Sequence, residues 1–280
     1  MSKIKVAELF YSIQGEGRYM GVPSVFLRTF GCNFKCAGFG MPRGELSTEA
    51  NDIAEVVHLY NKYEELPLVS TGCDSYASWH PDFKDLSPML TTDAIADRIM
   101  AILPQPYWQS EHLVITGGEP LLGWQRAYPD LLDNLQMSNL KEITFETNGT
   151  QRLTDEFKKY LFNWKNKQRE ITFSVSAKLP GSGESWDEAI QPNIVCEYEW
   201  FGTTYLKFVV ATEQDIADAE CAVGAYRAAG FSGDVYLMPV GGVESVYNLN
   251  AKNVALAAMK RGWRYSDRLQ VPLFKNEWGT

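Results

Sequence analysis

Several things are missing from this sequence, and each absence removes a class of function. No apolar run approaches the roughly 18–20 residues of a membrane span, and the opening Met-Ser-Lys-Ile-Lys lacks the apolar core of a signal peptide. Both point to a cytoplasmic protein with no membrane partner. No cluster of Lys and Arg appears, and the 35 Asp and Glu outnumber the 26 Lys and Arg, for a net charge of −9. A nucleic-acid binder would carry a basic face, so the expected partner is a small molecule and not a nucleic acid. Histidine is scarce: His58, His80 and His112 show no His-x-x-His or Glu-x-x-His spacing. A Walker loop, a nucleophile elbow and a dinucleotide fingerprint are all missing. No low-complexity linker divides the 280 residues, so one domain, 1–280, is expected.

What is present begins with cysteine. In a reducing compartment, grouped cysteines read as metal ligands before disulfides. Cys32 and Cys36 follow an apolar run, Ser24-Val-Phe-Leu-Arg-Thr-Phe30, that reads as a buried strand. Thiolates at a strand mouth suit a soft metal, whether zinc, copper(I) or iron–sulfur. Two thiolates cannot hold an iron–sulfur cluster, so a third ligand would be needed. Cys196 and Cys221 have no Cys or His at ligand spacing and read as buried structural cysteines.

The chain then alternates. Strands are expected at 24–30, 112–116, 141–146, 170–176, 204–211 and 234–238. Helices are expected at 92–103, 124–137, 154–165, 213–229 and 248–261, with a short extended piece at 268–273. Between the cysteines, Ser47 is expected to cap a helix over about 48–63, and 66–73 reads as an extended return. About six βα units argue for an α/β fold with a parallel sheet and right-handed crossovers. In such folds sites gather at the carboxyl ends of strands. Arg28, the cysteines, Gly118, Glu146, Asn148, Ser176 and Lys178 all fall at or near those ends.

Four polar positions invite a ligand, each with a plainer reading beside it. Gln14 and Glu16 flank Gly15 and suit the donor and acceptor edge of a heterocycle; they equally suit an ordinary polar turn. Arg28 stands in an apolar strand, where a cation needs a partner. That partner is either a substrate carboxylate or an internal acid. Gly117 and Gly118 let backbone approach a ligand closely, and Glu119 can take an ammonium group; a strand-to-helix turn is the alternative.

Taken together, Phe-Tyr-Ser-Ile-Gln-Gly-Glu-Gly, Phe-Leu-Arg, Gly-Cys-Asn, Cys-Asp-Ser, Thr-Gly-Gly-Glu-Pro and Glu-Thr-Asn-Gly-Thr resemble the 7-carboxy-7-deazaguanine synthase family of radical S-adenosylmethionine enzymes. The resemblance runs from Glu8 to Met238 with gaps. It implies a partial TIM-like (β/α)6 barrel and, usually, a homodimer. It also implies ring contraction of 6-carboxy-5,6,7,8-tetrahydropterin to 7-carboxy-7-deazaguanine with release of ammonia, in the queuosine and deazapurine pathway.

The cofactors implied are a 4Fe–4S cluster, S-adenosylmethionine and Mg²⁺, with a reductant such as flavodoxin. The superfamily motif is Cys-x3-Cys-x2-Cys, and Phe39 stands where its third cysteine belongs. Cys73-Asp74-Ser75 looks like the missing end of the motif, separated by an insertion of residues 37–72 in the cluster loop. Carried over, Cys32, Cys36 and Cys73 would hold the cluster and Ser75 would hold Mg²⁺. Gly117, Gly118, Glu119, Glu146, Asn148, Ser176, Ala177 and Lys178 would bind S-adenosylmethionine. Ile13, Gln14, Gly15, Glu16, Arg28 and Thr116 would bind the pterin. The alternatives are another radical enzyme, such as a glycyl-radical activase, and a non-catalytic metal-binding scaffold with zinc on Cys32 and Cys36.

Overall fold

The computed structural model describes residues 2–280. Among them nine strands join one sheet: β1 (Lys3–Ile13), β2 (Pro23–Thr29), β3 (Met89–Thr91), β4 (His112–Gly117), β5 (Glu142–Thr147), β6 (Glu170–Val175), β7 (Thr203–Val210), β8 (Val235–Pro239) and β9 (Arg264–Tyr265). Their order is β3-β1-β2-β4-β5-β6-β7-β8-β9. From β2 onward every neighbouring pair is parallel and the strands follow chain order. β1 pairs antiparallel with β2 and β3 at one edge. The sheet is therefore an open, partial barrel of six parallel strands, β2 and β4 to β8, with β9 as a two-residue addition.

Nine helices are described: α1 (Glu49–Glu55), α2 (Thr92–Ile102), α3 (Tyr128–Leu132), α4 (Asp155–Asn166), α5 (Trp186–Ala189), α6 (Pro192–Tyr198), α7 (Glu213–Ala228), α8 (Glu244–Arg261) and α9 (Gln270–Phe274). The caps follow from sequence. Thr91 Oγ1 accepts from Ala94 N at 3.2 Å to start α2, and Thr154 Oγ1 accepts from Phe157 N to start α4. Thr212 and Asp215 form a reciprocal capping box on α7.

The sheet has two unlike faces. Leu27, Ile115, Phe145, Val175, Phe208 and Leu237 lie in the main apolar core under the helices. The alternating residues Arg28, Thr116, Glu146, Ser176, Lys207 and Met238 line a cavity on the other face. The period of two in a strand is what sorts them.

Four expectations are corrected. The helix placed at 48–63 is only α1 followed by two single 3₁₀ turns; the β-branched pair Val56-Val57 does not sustain it. Thr48 is its N-cap residue, while Ser47 Oγ accepts from Glu49 N at 3.2 Å. The 66–73 return is irregular, because Ser70 N and Thr71 N donate to the Glu49 carboxylate at 2.8 and 3.0 Å instead of to a strand. The 124–137 helix shortens to α3, opened by Pro129 in its first turn, and Asn134 starts a separate 3₁₀ turn. The 268–273 segment holds α9, since Pro272 is tolerated in a first helical turn.

The insertion has a small core of its own, in which Tyr63, Leu66 and Val69 pack with Tyr76 and Phe83. Trp278 closes it by donating from Nε1 to the Leu66 carbonyl at 2.7 Å.

Candidate active site

The cavity of about 240 Å³ opens at the carboxyl ends of the parallel strands. Three of the five cysteines line it. Cys32 lies three residues past the end of β2, and Cys36 four residues on. Cys73 is returned to them because the ends of the insertion meet: Gly72 N donates to the Phe39 carbonyl and Ser47 N to the Ala37 carbonyl, both at 2.7 Å. Cys32, Cys36 and Cys73 then pack in one cluster with Phe34, Phe39 and Ala189. The spacing in the sequence could not show this closure.

All five cysteines are free. Burial pushes the Cys32 thiol up to about 12 and the Cys36 and Cys73 thiols above their ordinary value. The three thus stay neutral until a metal takes their protons. Among the described residues, no three His, Cys, Asp or Glu side chains converge tightly enough for a single ion. Three thiols around one larger space suit a cluster in which each thiolate meets a different iron. Beside them the buried Trp79 Nε1 faces the Cys73 sulfur and has no other partner, so it is placed to donate to a thiolate there. The residues fit the group.

Cys196 and Cys221 take no part in the cavity. The expectation that they are buried is corrected: Cys196 is half-buried and Cys221 exposed on α7.

The Gly-Gly-Glu-Pro turn holds the protein's own parts together. Gly117 has φ +145°, and a Cβ there would collide with the Thr29 backbone. A Cβ on Gly118 would press on Gly31 and come within 2.7 Å of the Cys32 Cβ. The glycines thus let β4 pack against the root of the cysteine loop, and both still line the cavity.

Glu119 is a correction. It is fully buried away from the cavity, and its carboxylate accepts from Leu121 N, Thr147 Oγ1 and Asn148 N at 3.0, 2.8 and 2.6 Å. Burial raises its pKa to about 7 despite those bonds. It ties the β4 turn to the β5 turn and has no face for an ammonium group. Ala177 is the second correction: its side chain belongs to the main core, while Ser176 and Lys178 on either side line the cavity. Lys178 Nζ donates to Ser176 Oγ at 3.0 Å.

Ile13, Gln14, Gly15, Glu16, Arg28 and Thr116 all reach the cavity. Gln14 Nε2 donates to Glu146 Oε1 at 3.1 Å, and Gln14 Oε1 accepts from Glu16 N at 3.1 Å. Arg28 has an internal acid: its Nε donates to Glu8 Oε2 at 2.7 Å, and its Nη1 donates to Ser75 Oγ at 3.0 Å. A ligand carboxylate can therefore meet only the Nη end of the fork. Ser75 Oγ in turn donates to Asp74 Oδ1 at 3.3 Å.

Glu16 is corrected as a free heterocycle acceptor. It pairs with Lys207 and accepts from Arg268 Nε at 3.1 Å and Gln270 Nε2 at 2.8 Å. Burial opposes its charge, but Lys207 and Arg268 outweigh burial and hold the carboxyl at about 2. Arg268 continues the chain of charges, with Nη2 donating to Asp74 Oδ2 at 2.6 Å and Nη1 to the Gly241 carbonyl at 2.6 Å.

Sequence reasoning passed over Lys207 and Arg268. Lys207 carried the same signal as Arg28, a lone cation inside an apolar strand. Arg268 carried none, since it lies in a loop whose place only the fold decides.

No protein-family model matches the chain. A 7-carboxy-7-deazaguanine synthase of Halobacterium salinarum is 31% identical over 287 residues, covering 98% of this chain and 91% of the relative. One of Rhodopirellula baltica is 28% identical over 291 residues, covering 100% and 90%. The crystal structure of QueE from Escherichia coli superposes with a TM-score of 0.54 at 19% identity, over 94% of this chain and 93% of that one, which establishes the shared fold. The partial barrel is that of a radical S-adenosylmethionine enzyme, a class that uses a 4Fe–4S cluster. Within that class the chain belongs to the 7-carboxy-7-deazaguanine synthase family.

Proposed function

We propose that this chain contracts 6-carboxy-5,6,7,8-tetrahydropterin to 7-carboxy-7-deazaguanine with release of ammonia, acting as a carbon–nitrogen lyase in deazapurine and queuosine biosynthesis. The observation that carries this reading is the meeting of three thiols from the two ends of the insertion in one cavity with Gln14, Arg28 and Ser75. Near full-length similarity to proteins named as synthases favours it over an activase or a zinc scaffold.

When bound, the cluster and S-adenosylmethionine supply hydrogen-atom abstraction from an unreactive C–H bond; the protein supplies position and shielding. Cys32, Cys36 and Cys73 hold the cluster. Gly117, Gly118, Glu146, Asn148, Ser176 and Lys178 line the side for S-adenosylmethionine. Ile13, Gln14, Gly15, Arg28 and Thr116 line the side for the pterin, whose carboxylate meets the Nη end of Arg28. The Lys207–Glu16–Arg268–Asp74 chain keeps those walls in register. Ser75 offers a hydroxyl oxygen, and Asp74 a carboxylate beside it, to Mg²⁺, a hard ion that takes one or two protein oxygens and keeps several waters.

The chain acts as a single domain in the cytoplasm and takes electrons from a reductant such as flavodoxin. Five free cysteines support a reducing compartment, and no helix among the described residues is long and apolar enough to cross a membrane. Leu249, Leu256 and Met259 leave exposed apolar surface on α8, which supports a homodimer. One anaerobic assay tests the whole: reconstituted protein with the pterin, S-adenosylmethionine and a reductant yields 7-carboxy-7-deazaguanine and ammonia. Reductive cleavage of S-adenosylmethionine without pterin turnover would assign a different radical reaction.

A further inference from the structure

We propose that Glu184 is the positioning residue that holds Cys36 in the geometry of a cluster ligand. The inference rests on the cluster assignment made above. Glu184 follows the glycine-rich turn after Lys178 and lies outside the cavity, so it acts through Cys36. One of its oxygens, Oε1, accepts from the backbone N–H of Lys35 at 2.8 Å and of Cys36 at 2.6 Å. Hydrogen bonds to an ionised acceptor are roughly twice as strong as neutral ones. No Lys, Arg or His side chain among the described residues pairs with this carboxylate, so its charge is directed at those two N–H groups.

The backbone of Cys36 is shaped for that anion. Its φ is +51°, in the left-handed region that a residue with a side chain seldom enters. Successive N–H groups converging on one anion form a backbone nest, which such a left-handed residue makes possible. The carboxylate and the unusual backbone therefore require each other.

Two further contacts dock the same segment. Gly38 N donates to the Ser182 carbonyl at 2.8 Å, and a Cβ on Gly38 would come within 2.7 Å of Gly183 N. Ala189 of α5 joins Cys36 and Phe34 in one small buried cluster. Cys32 is placed by β2, and Cys73 by the Gly72–Phe39 closure. Cys36, between them on a loop opened by the insertion, is placed by Glu184.

The test compares the parent with Glu184→Ala, Glu184→Asp and Glu184→Gln. Each is reconstituted anaerobically with iron and sulfide, and cluster loss to a chelator is followed by visible absorption. Melting of the unreconstituted proteins is measured alongside. Glu184→Ala is expected to lose its cluster about tenfold faster, the factor for one lost charge-assisted bond. Glu184→Asp, whose shorter arm withdraws the oxygen, loses it faster too and carries the comparison if the alanine variant does not fold. Glu184→Gln keeps an acceptor oxygen in place without the charge, and loses the cluster at a rate between those of the parent and Glu184→Ala. Melting of the unreconstituted proteins stays unchanged.

Parent-like retention in the Ala or Asp variant overturns the role of Glu184 alone. Loss from the Gln variant equal to that from the Ala variant shows that the acceptor oxygen places nothing and overturns positioning, as does a fall in unreconstituted melting that matches the cluster loss. A parent that takes up no cluster overturns the underlying assignment, and this role with it.

Discussion

Gly72 donates its backbone N–H to the carbonyl of Phe39 at 2.7 Å, although nearly the whole insertion lies between them. Phe39 stands where a shorter cluster loop would carry its third cysteine, and Gly72 precedes the cysteine that replaces it. The bond therefore restores in space the spacing that the insertion removed from the sequence.

If that closure builds the site, each of Cys32→Ala, Cys36→Ala and Cys73→Ala should fall well below about four iron atoms per chain after anaerobic reconstitution, the content of one 4Fe–4S cluster. Cys196→Ala and Cys221→Ala should match the parent, because neither thiol reaches the cavity. Iron analysis decides. Full iron in Cys73→Ala would show that another group supplies the third ligand.

Arg28 bridges Glu8 and Ser75, and Lys lacks the planar fork needed to reach both while meeting a carboxylate. Arg28→Lys should lower kcat/KM for the pterin by about tenfold or more, the size of one lost hydrogen bond to a charged group. It should also cost about 1–3 kcal/mol of stability, because Glu8 stays buried with a poorer partner. Steady-state kinetics and urea unfolding measure the two effects. Parent-like kcat/KM would remove Arg28 from substrate binding.

Ser75 contributes an oxygen that accepts from Arg28 and faces the cavity. Ser75→Ala should lower turnover and flatten the rate response to added Mg²⁺ with cluster content unchanged, and Ser75→Thr should retain both. A Mg²⁺ titration of the three proteins separates the readings. An unaltered response in Ser75→Ala would put the ion elsewhere.

Acid should act on the fold through groups of opposite sign: Glu119, whose pKa of about 7 lies above its ordinary 4.5, adds stability as pH falls through 7, while His112 and Glu16 remove it. His112 is wholly buried, its Nε2 bonded to Thr144 Oγ1 at 2.9 Å, and burial lowers its pKa from 6.5 to about 3. The unfolded chain takes that proton first, so its contribution is present above pH 6.5 and is lost as pH falls from there toward 3. The slope is up to about 1.4 kcal/mol per pH unit. Glu16, held at about 2, adds a loss that begins as pH falls below its ordinary 4.5. Because Glu119 acts equally in both proteins, urea unfolding at about pH 7.5 and about pH 5.5 should show the stability of His112→Gln relative to the parent shifting in favour of the variant at the lower pH. Equal dependence would mean that His112 takes its proton in the folded state.

The sequence by itself determined the alternation of strands and helices, because apolar period and capping residues such as Thr91, Thr154 and Thr212 act within a few positions. It also determined which residues stand at strand ends, and with them part of the cavity lining. The tertiary structure alone decided what each lining residue meets. Glu119 and Ala177 turn into the protein, while Glu16 is claimed by Lys207 and Arg268. Those partners lie far along the chain, and the strand register and barrel curvature that bring them together are collective properties of the sheet. Cys73 is the sharpest case, since Cys-Asp-Ser marked it as an expected ligand, yet only the folding of the insertion onto Phe39 carries its thiol to the other two.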